Sequence, residues 1–166
     1  MDALDTLKYG HRTVVYTVEA LPENEWKTPN VCGWWSCKNI IAHLASFEVV
    51  LVEVLNSFID DVPTPTLEKF SESPQGFNDV SVAERQHLTP TETWDEYEVT
   101  HARAMELMAE IPVEERRQKG RLPWYGLEYD LEDFIVYSFY GHKREHMSQI
   151  NVFLDLLTAQ GKREMG

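Results

Sequence analysis

Apolar residues recur every three or four positions in four long stretches of the chain, the spacing of an α-helix with one buried face. The first stretch runs from Asp2 to Ala20, with a stripe of Leu4, Leu7, His11, Val14, Val18 and Leu21, and Leu21-Pro22 ends it. The second starts at Ser36, a good N-cap, and carries Ile40, His43, Phe47, Val50 and Val54. Flanking Ile41, Leu44, Leu51, Leu55 and Phe58 widen that face, so this helix is expected to be well buried and to end near Ile59-Asp60-Asp61. The third opens on Thr89-Pro90-Thr91-Glu92, a capping box with proline at the first helical position, and its stripe runs Trp94, Tyr97, His101, Ala104, Met108 and Ile111 before Pro112. The fourth is expected from Asp130, with Ile135, Phe139, His142, His146, Gln149, Phe153 and Leu156 on one side and Gly161 just past its end.

Strand signals are weak, because short β-branched runs such as Thr13-Val14-Val15 lie inside stripes of helical period. The pattern predicts one all-α domain over residues 1–166, a four-helix bundle. The link from Ile59 to Leu88 spans about 30 residues, unusually long for a loop without a task. It can run back along the bundle, leave the second and third long helices parallel, and hold a short helix near Val80–Gln86.

Composition narrows the partners. The chain has 166 residues, 15 Lys+Arg against 28 Asp+Glu, and a formal net charge of -13. So acidic a surface repels phosphate backbones and anionic lipid, which argues against nucleic acid and membrane partners. No stretch reads as the roughly 20 apolar residues of a membrane span. The opening residues, MDALDTLKYGHR, lack the apolar centre of a secretory signal, so a cytoplasmic protein is expected. The only cysteines, Cys32 and Cys37, are too few for a disulfide framework and read as ordinary reduced thiols. Cys37 falls in the first turn of a helix, where the dipole favours the thiolate.

The chemistry concentrates in histidine. Of six histidines, five lie on helical stripes, and only His87 does not. A histidine facing a bundle interior must satisfy two ring nitrogens by a partner, a water or a metal. His142 and His146 are one turn apart, so both imidazoles can reach one ion, and His43 can add a third from the second helix. An isolated H-x-x-x-H on a helix is commonly a surface coincidence. Here both members lie on the core stripe with a third interior histidine available, which favours the metal. Three neutral imidazoles suit Zn, Ni, Fe or Cu and leave a position for water or substrate, the mark of a catalytic site. His11 and His101 read first as hydrogen-bonded interior groups, and alternatively as supports or lining of the pocket. Trp34-Trp35 and Trp124-Tyr125 sit in loops before helices and either wall a pocket or seal the bundle ends. Glu145 points off the face of the paired histidines. The acidic runs at Asp60-Asp61 and Glu128–Asp133 read as solvated faces and cap charges.

The run Trp35-Ser36-Cys37-Lys38-Asn39-Ile40-Ile41-Ala42-His43-Leu44-Ala45-Ser46-Phe47-Glu48 resembles the tryptophan–serine, His-Leu, Glu pattern of the DinB-like superfamily. Tyr140-Gly141-His142-Lys143-Arg144-Glu145-His146-Met147-Ser148-Gln149-Ile150 is similar to its last-helix motif. Gly76-Phe77-Asn78 in the long link, with Leu122-Pro123-Trp124, looks most like the ClbS/DfsB branch. The resemblance implies an up-down-down-up bundle, frequent dimers, and a divalent metal, Zn or Ni, on His43, His142 and His146. It implies thiol-dependent transferase or isomerase chemistry with a low-molecular-weight thiol such as mycothiol, bacillithiol or glutathione. The ClbS type instead hydrolyses a reactive cyclopropane. The chain departs from the pattern at Asn39, where an acidic residue often stands, which is expected to weaken the capping box there.

Three functions therefore follow from the sequence. The first is a metal-dependent enzyme transferring a thiol to, or isomerising, a small electrophile. The second is a hydrolase of such molecules. The third is a non-catalytic protein that sequesters a small molecule or a metal, and beside these stands a structural bundle whose site has become vestigial. A homodimer is compatible with the breadth of apolar stripe.

Overall fold

The computed structural model describes the backbone of residues 2–165 and the side chains of residues 2–161. Four long helices dominate: α1 (Ala3–Glu19), α2 (Cys37–Ile59), α5 (Pro90–Glu110) and α8 (His142–Met165). Between α2 and α5 lie two short ones, α3 (Pro65–Glu72) and α4 (Pro74–Glu84), and α5 is followed by the single turn α6 (Val113–Arg116). The short helix α7 (Leu131–Ile135) passes through a π-helical segment (Val136–Gly141) directly into α8. The described residues contain no strand beyond one isolated bridge, Cys32 to Trp35. The expected all-helical class therefore holds.

Capping explains where the helices begin. Asp2 accepts from the Asp5 amide to start α1, and Thr89 and Glu92 close the expected box on α5. At α2 the expectation about Asn39 was wrong. Its Oδ1 accepts from both the Ser36 amide and the Ser36 hydroxyl, and Ser36 Oγ accepts in turn from the Asn39 amide. An amide thus completes the box as well as a carboxylate would, and a carboxylate buried at this position would need a counter-charge.

Packing radiates from α2. It lies chiefly against α5, is flanked by α3 and α4, and touches α8, while α1 packs on α8 and on the π segment. Every residue from Cys37 to Glu48 is buried. The most apolar 18-residue window of α2 has a mean hydropathy of 1.6, apolar enough by length and composition for a membrane, contrary to the reading from sequence. Most of that window is buried inside the bundle, so the apolar surface is covered by the neighbouring helices.

The long link is helical for most of its length, more than the one short helix expected. Glu53 on α2 accepts from the Thr66 amide in the first turn of α3. Lys38 donates to the Arg85 and Gln86 carbonyls at the end of α4, and Arg85 pairs with Glu96 of α5 at 2.6 Å. These contacts hold α3 and α4 across the outer side of α2.

The last helix departs most from expectation. The π turn adds a residue to the helical repeat, so the core face downstream moves one position along the chain. Lys143, Met147 and Ile150 are fully buried, whereas His142 and Gln149 are half-buried and Leu156 is exposed. Gly161 lies within α8 rather than past its end. On the facing helix, a Cβ on Gly10 would collide with the Phe139 carbonyl, so α1 can approach the π turn this closely only through glycine.

Candidate metal centre

The register produced by the π turn brings His142 and His146 to the edge of the core, facing α2. His142 Nε2 lies 3.0 Å from His43 Nε2 and 3.0 Å from His146 Nε2. The three ligand atoms all lie within 4.8 Å of one another. Burial is the first cause of lowered basicity in all three rings. His43 is held down to about 2 and His142 to about 4, and His146 is lowered in the same direction. Neighbouring imidazoles push His43 and His142 further the same way. All three rings are therefore neutral at pH 7, the form that ligates a metal.

The donor set fits an ion. His146 Nδ1 donates to Gln149 Oε1 at 2.8 Å, which leaves its Nε2 as a lone pair. With His146 Nε2 a lone pair, one proton on His142 or His43 can satisfy only one of the two 3.0 Å contacts well, whereas a cation among the three nitrogens would satisfy them all. Nitrogens each bound about 2.0–2.1 Å from one ion stand roughly 2.9–3.4 Å apart, which matches the two 3.0 Å contacts of His142, while the third pair, His43 and His146, lies within 4.8 Å.

Aromatic rings enclose the group. Trp35 lies 5.0 Å from the His43 ring and 6.4 Å from that of His146, measured between centroids. It is placed by a tight turn in which Gly33 takes a φ of 57° and the Val31 and Cys32 amides both donate to the Trp35 carbonyl. Phe47 contacts His43 and His142 at 4.7 and 4.9 Å, and it also meets Phe70 of α3 and Phe77 of α4. Trp124 is farther out, against Phe70, Tyr125 and Phe134, with Phe70 and Phe47 between it and the histidines. Trp34 is half exposed and turns away.

His11 and His101 belong to a second polar cluster. Their rings stack with centroids 3.9 Å apart, His11 Nδ1 contacts the Tyr97 hydroxyl at 3.1 Å, and His11 Nε2 lies 3.5 Å from Glu98. His101 Nδ1 is 3.5 Å from Glu48, which is fully buried and accepts from the equally buried Lys143 at 2.5 Å. Lys143 holds the Glu48 carboxyl down to about 2, against a burial that pushes it up. His11 is lowered to about 3, first by burial and then by the neighbouring His101 and Lys143. Sequence reasoning assigned Lys143 no role. The missed signal was Glu48, a carboxylate at the end of the fully buried stretch of an apolar helix, which had to find a cation. Glu145 is exposed, as expected. Both cysteines are free, and burial raises the Cys37 thiol to about 12, so the expected activation by the helix dipole is overridden.

A cleft of about 340 Å³ adjoins this region on the outer side of α2. Ser46, Lys69, Phe77, Ser81 and Arg85 are among the residues that line it. Ser46 is one turn from His43 and donates to its carbonyl at 2.6 Å.

Comparison with known proteins gives one family. Residues 7–129 match the model of the mycothiol maleylpyruvate isomerase N-terminal domain. The matched span includes His11, His43 and His101 and ends before α7, so His142 and His146 lie outside it. No curated protein and no solved structure matches the chain.

Proposed function

Because the chain belongs to the mycothiol maleylpyruvate isomerase N-terminal domain family, within the DinB-like superfamily, we propose that it is a divalent-metal enzyme using a low-molecular-weight thiol on small electrophiles. The convergence of three neutral imidazole nitrogens inside the bundle carries this reading. His43, His142 and His146 would hold the metal, with Zn or Ni best suited to imidazole donors. Bound there, the metal supplies Lewis acidity, which favours the ionised form of a thiol or water at neutral pH.

The protein's own groups do the rest. Gln149 fixes the His146 tautomer. Trp35, Phe47 and Phe77 exclude water from the donor side, and the Trp35 indole Nε1 is buried with no hydrogen-bond partner, leaving it free to donate to a ligand. The cleft between α2 and the α3–α4 pair offers hydroxyls and both signs of charge to a small polar substrate. The long helices, on this reading, run up-down-down-up, with α3 and α4 serving as the crossover between α2 and α5. A cytoplasmic homodimer in the ClbS/DfsB branch remains part of the proposal, and the charge of -13 keeps nucleic acid and membrane outside it.

Hydrolysis and sequestration use the same site differently, and one assay separates them. Metal-loaded protein is incubated with a generic electrophile, with and without a panel of small thiols. Transfer or isomerisation requires turnover only when thiol is present. Turnover in water alone would identify a hydrolase, and single-equivalent uptake without turnover a sequestering protein.

A further inference from the structure

The four long helices meet at one buried polar knot outside the histidine triad. Glu48 comes from α2, Lys143 from α8, Tyr97 and His101 from α5, and His11 from α1. Its centre is the Glu48–Lys143 pair, with side chains 0% and 1% exposed. Lys143 Nζ also lies over the Tyr97 ring at 5.2 Å and the Phe139 ring at 5.8 Å, so the cation is enclosed on every side the neighbours define.

A pair of this kind is a poor device for stability alone, because desolvating two charges offsets most of their attraction. Its established use elsewhere is to fix register, since a slipped helix would leave a charge buried and unpaired. Here the two helices that it ties are the two that carry the triad. Glu48 follows His43 by five positions on α2, and Lys143 follows His142 directly on α8. The helices touch each other only lightly elsewhere, α2 packing mainly on α5 and α8 on α1. The π turn immediately upstream makes the register of α8 a local choice rather than a consequence of regular helix, so something downstream has to select it.

We propose that the buried Glu48–Lys143 pair is the positioning element of the metal centre, locking α8 against α2 in the one register that brings His142 and His146 to His43. The inference rests on the metal reading above and extends it to residues that do not touch the ion.

The test uses the full chain loaded with Co(II), whose visible ligand-field spectrum reports donor geometry. Lys143→Met removes the cation. The double variant Glu48→Gln with Lys143→Met removes the orphaned charge as well and protects the fold. Leu107→Ala, a core truncation on the ligand-free helix α5, serves as the control for general loss of stability. The expected result is a loss of Co(II) affinity of about 10- to 100-fold in both pair variants, with a shifted visible band, while Leu107→Ala binds as the unaltered protein does. A folded double variant with unchanged affinity and spectrum would overturn the proposal and leave the metal reading intact. A loss of affinity in Leu107→Ala equal to that in the pair variants would also overturn it. Failure of the unaltered protein to bind Co(II) would remove the metal reading itself.

Discussion

His43 and His142 are separated by 99 positions in the chain, yet their Nε2 atoms stand 3.0 Å apart with ring planes at 89°. Neither is exposed, and both rings are neutral imidazoles at neutral pH. At that distance a single N–H···N hydrogen bond can join the pair, and a shared cation would take its place by accepting both nitrogens as donors. Replacing His142 by Ala should therefore abolish tight metal binding. It should leave the metal-free protein folded, as measured by circular dichroism beside metal titration. Tight metal uptake by folded His142→Ala would remove this residue from the ligand set.

Acid should act on the same centre in a defined direction. Above pH 6.5 the rings are neutral in both folded and unfolded chains, and their burial makes no pH-dependent contribution. Below it the unfolded chain binds protons that folded His43, His142 and His11 refuse until pH falls towards about 2, 4 and 3 respectively. Stability should fall from pH 6.5 downward by about 1.4 kcal/mol per pH unit for each such histidine, before discounting for partial exposure. Glu48, lowered to about 2, adds its own loss between 4.5 and 2. Denaturant melts at pH 7.5 and 5.0 check this, and equal stability at the two would contradict the burial of neutral rings.

The contact between Gln149 and His146 fixes which nitrogen faces the centre. Gln149→Leu should weaken metal binding about 10- to 100-fold, the usual effect of losing a ligand's hydrogen-bond partner. Gln149→Glu keeps the acceptor and should retain affinity. A competition titration with a chromophoric chelator reads both variants, and equal behaviour of the two would show that the contact does not orient the ring.

Gly10 tests the π turn. Alanine is the better helix former by about 1 kcal/mol, so on propensity alone Gly10→Ala should stabilise α1. The added methyl meets the Phe139 carbonyl, part of a backbone that cannot give way without moving His142. The expected outcome is a net destabilisation of about 1–3 kcal/mol together with weaker metal binding. Thermal unfolding and metal titration of the same variant give both readings.

The three ligand candidates were legible because they obey two simple periods, a four-residue step in α8 and a core stripe in α2. The helical class and the caps at Ser36 and Thr89 were legible for the same local reasons. What local pattern could not show was the π turn in Val136–Gly141, whose effect appears only against α1. Once missed, it misplaced the core face of α8 by one residue and hid Lys143. The link between α2 and α5 was underestimated, since Pro65 and Pro74 each open a helix at its first position and were not used as start signals. The thiol of Cys37 shows the remaining kind of miss, where burial by distant elements outweighed a nearby dipole.

The central claim is the metal itself. Purified protein reconstituted with Zn or Ni and dialysed should retain about one equivalent of metal per chain, and a variant lacking His43, His142 and His146 should retain none. Less than about a tenth of an equivalent in the unaltered, folded protein after reconstitution with either ion would contradict the account.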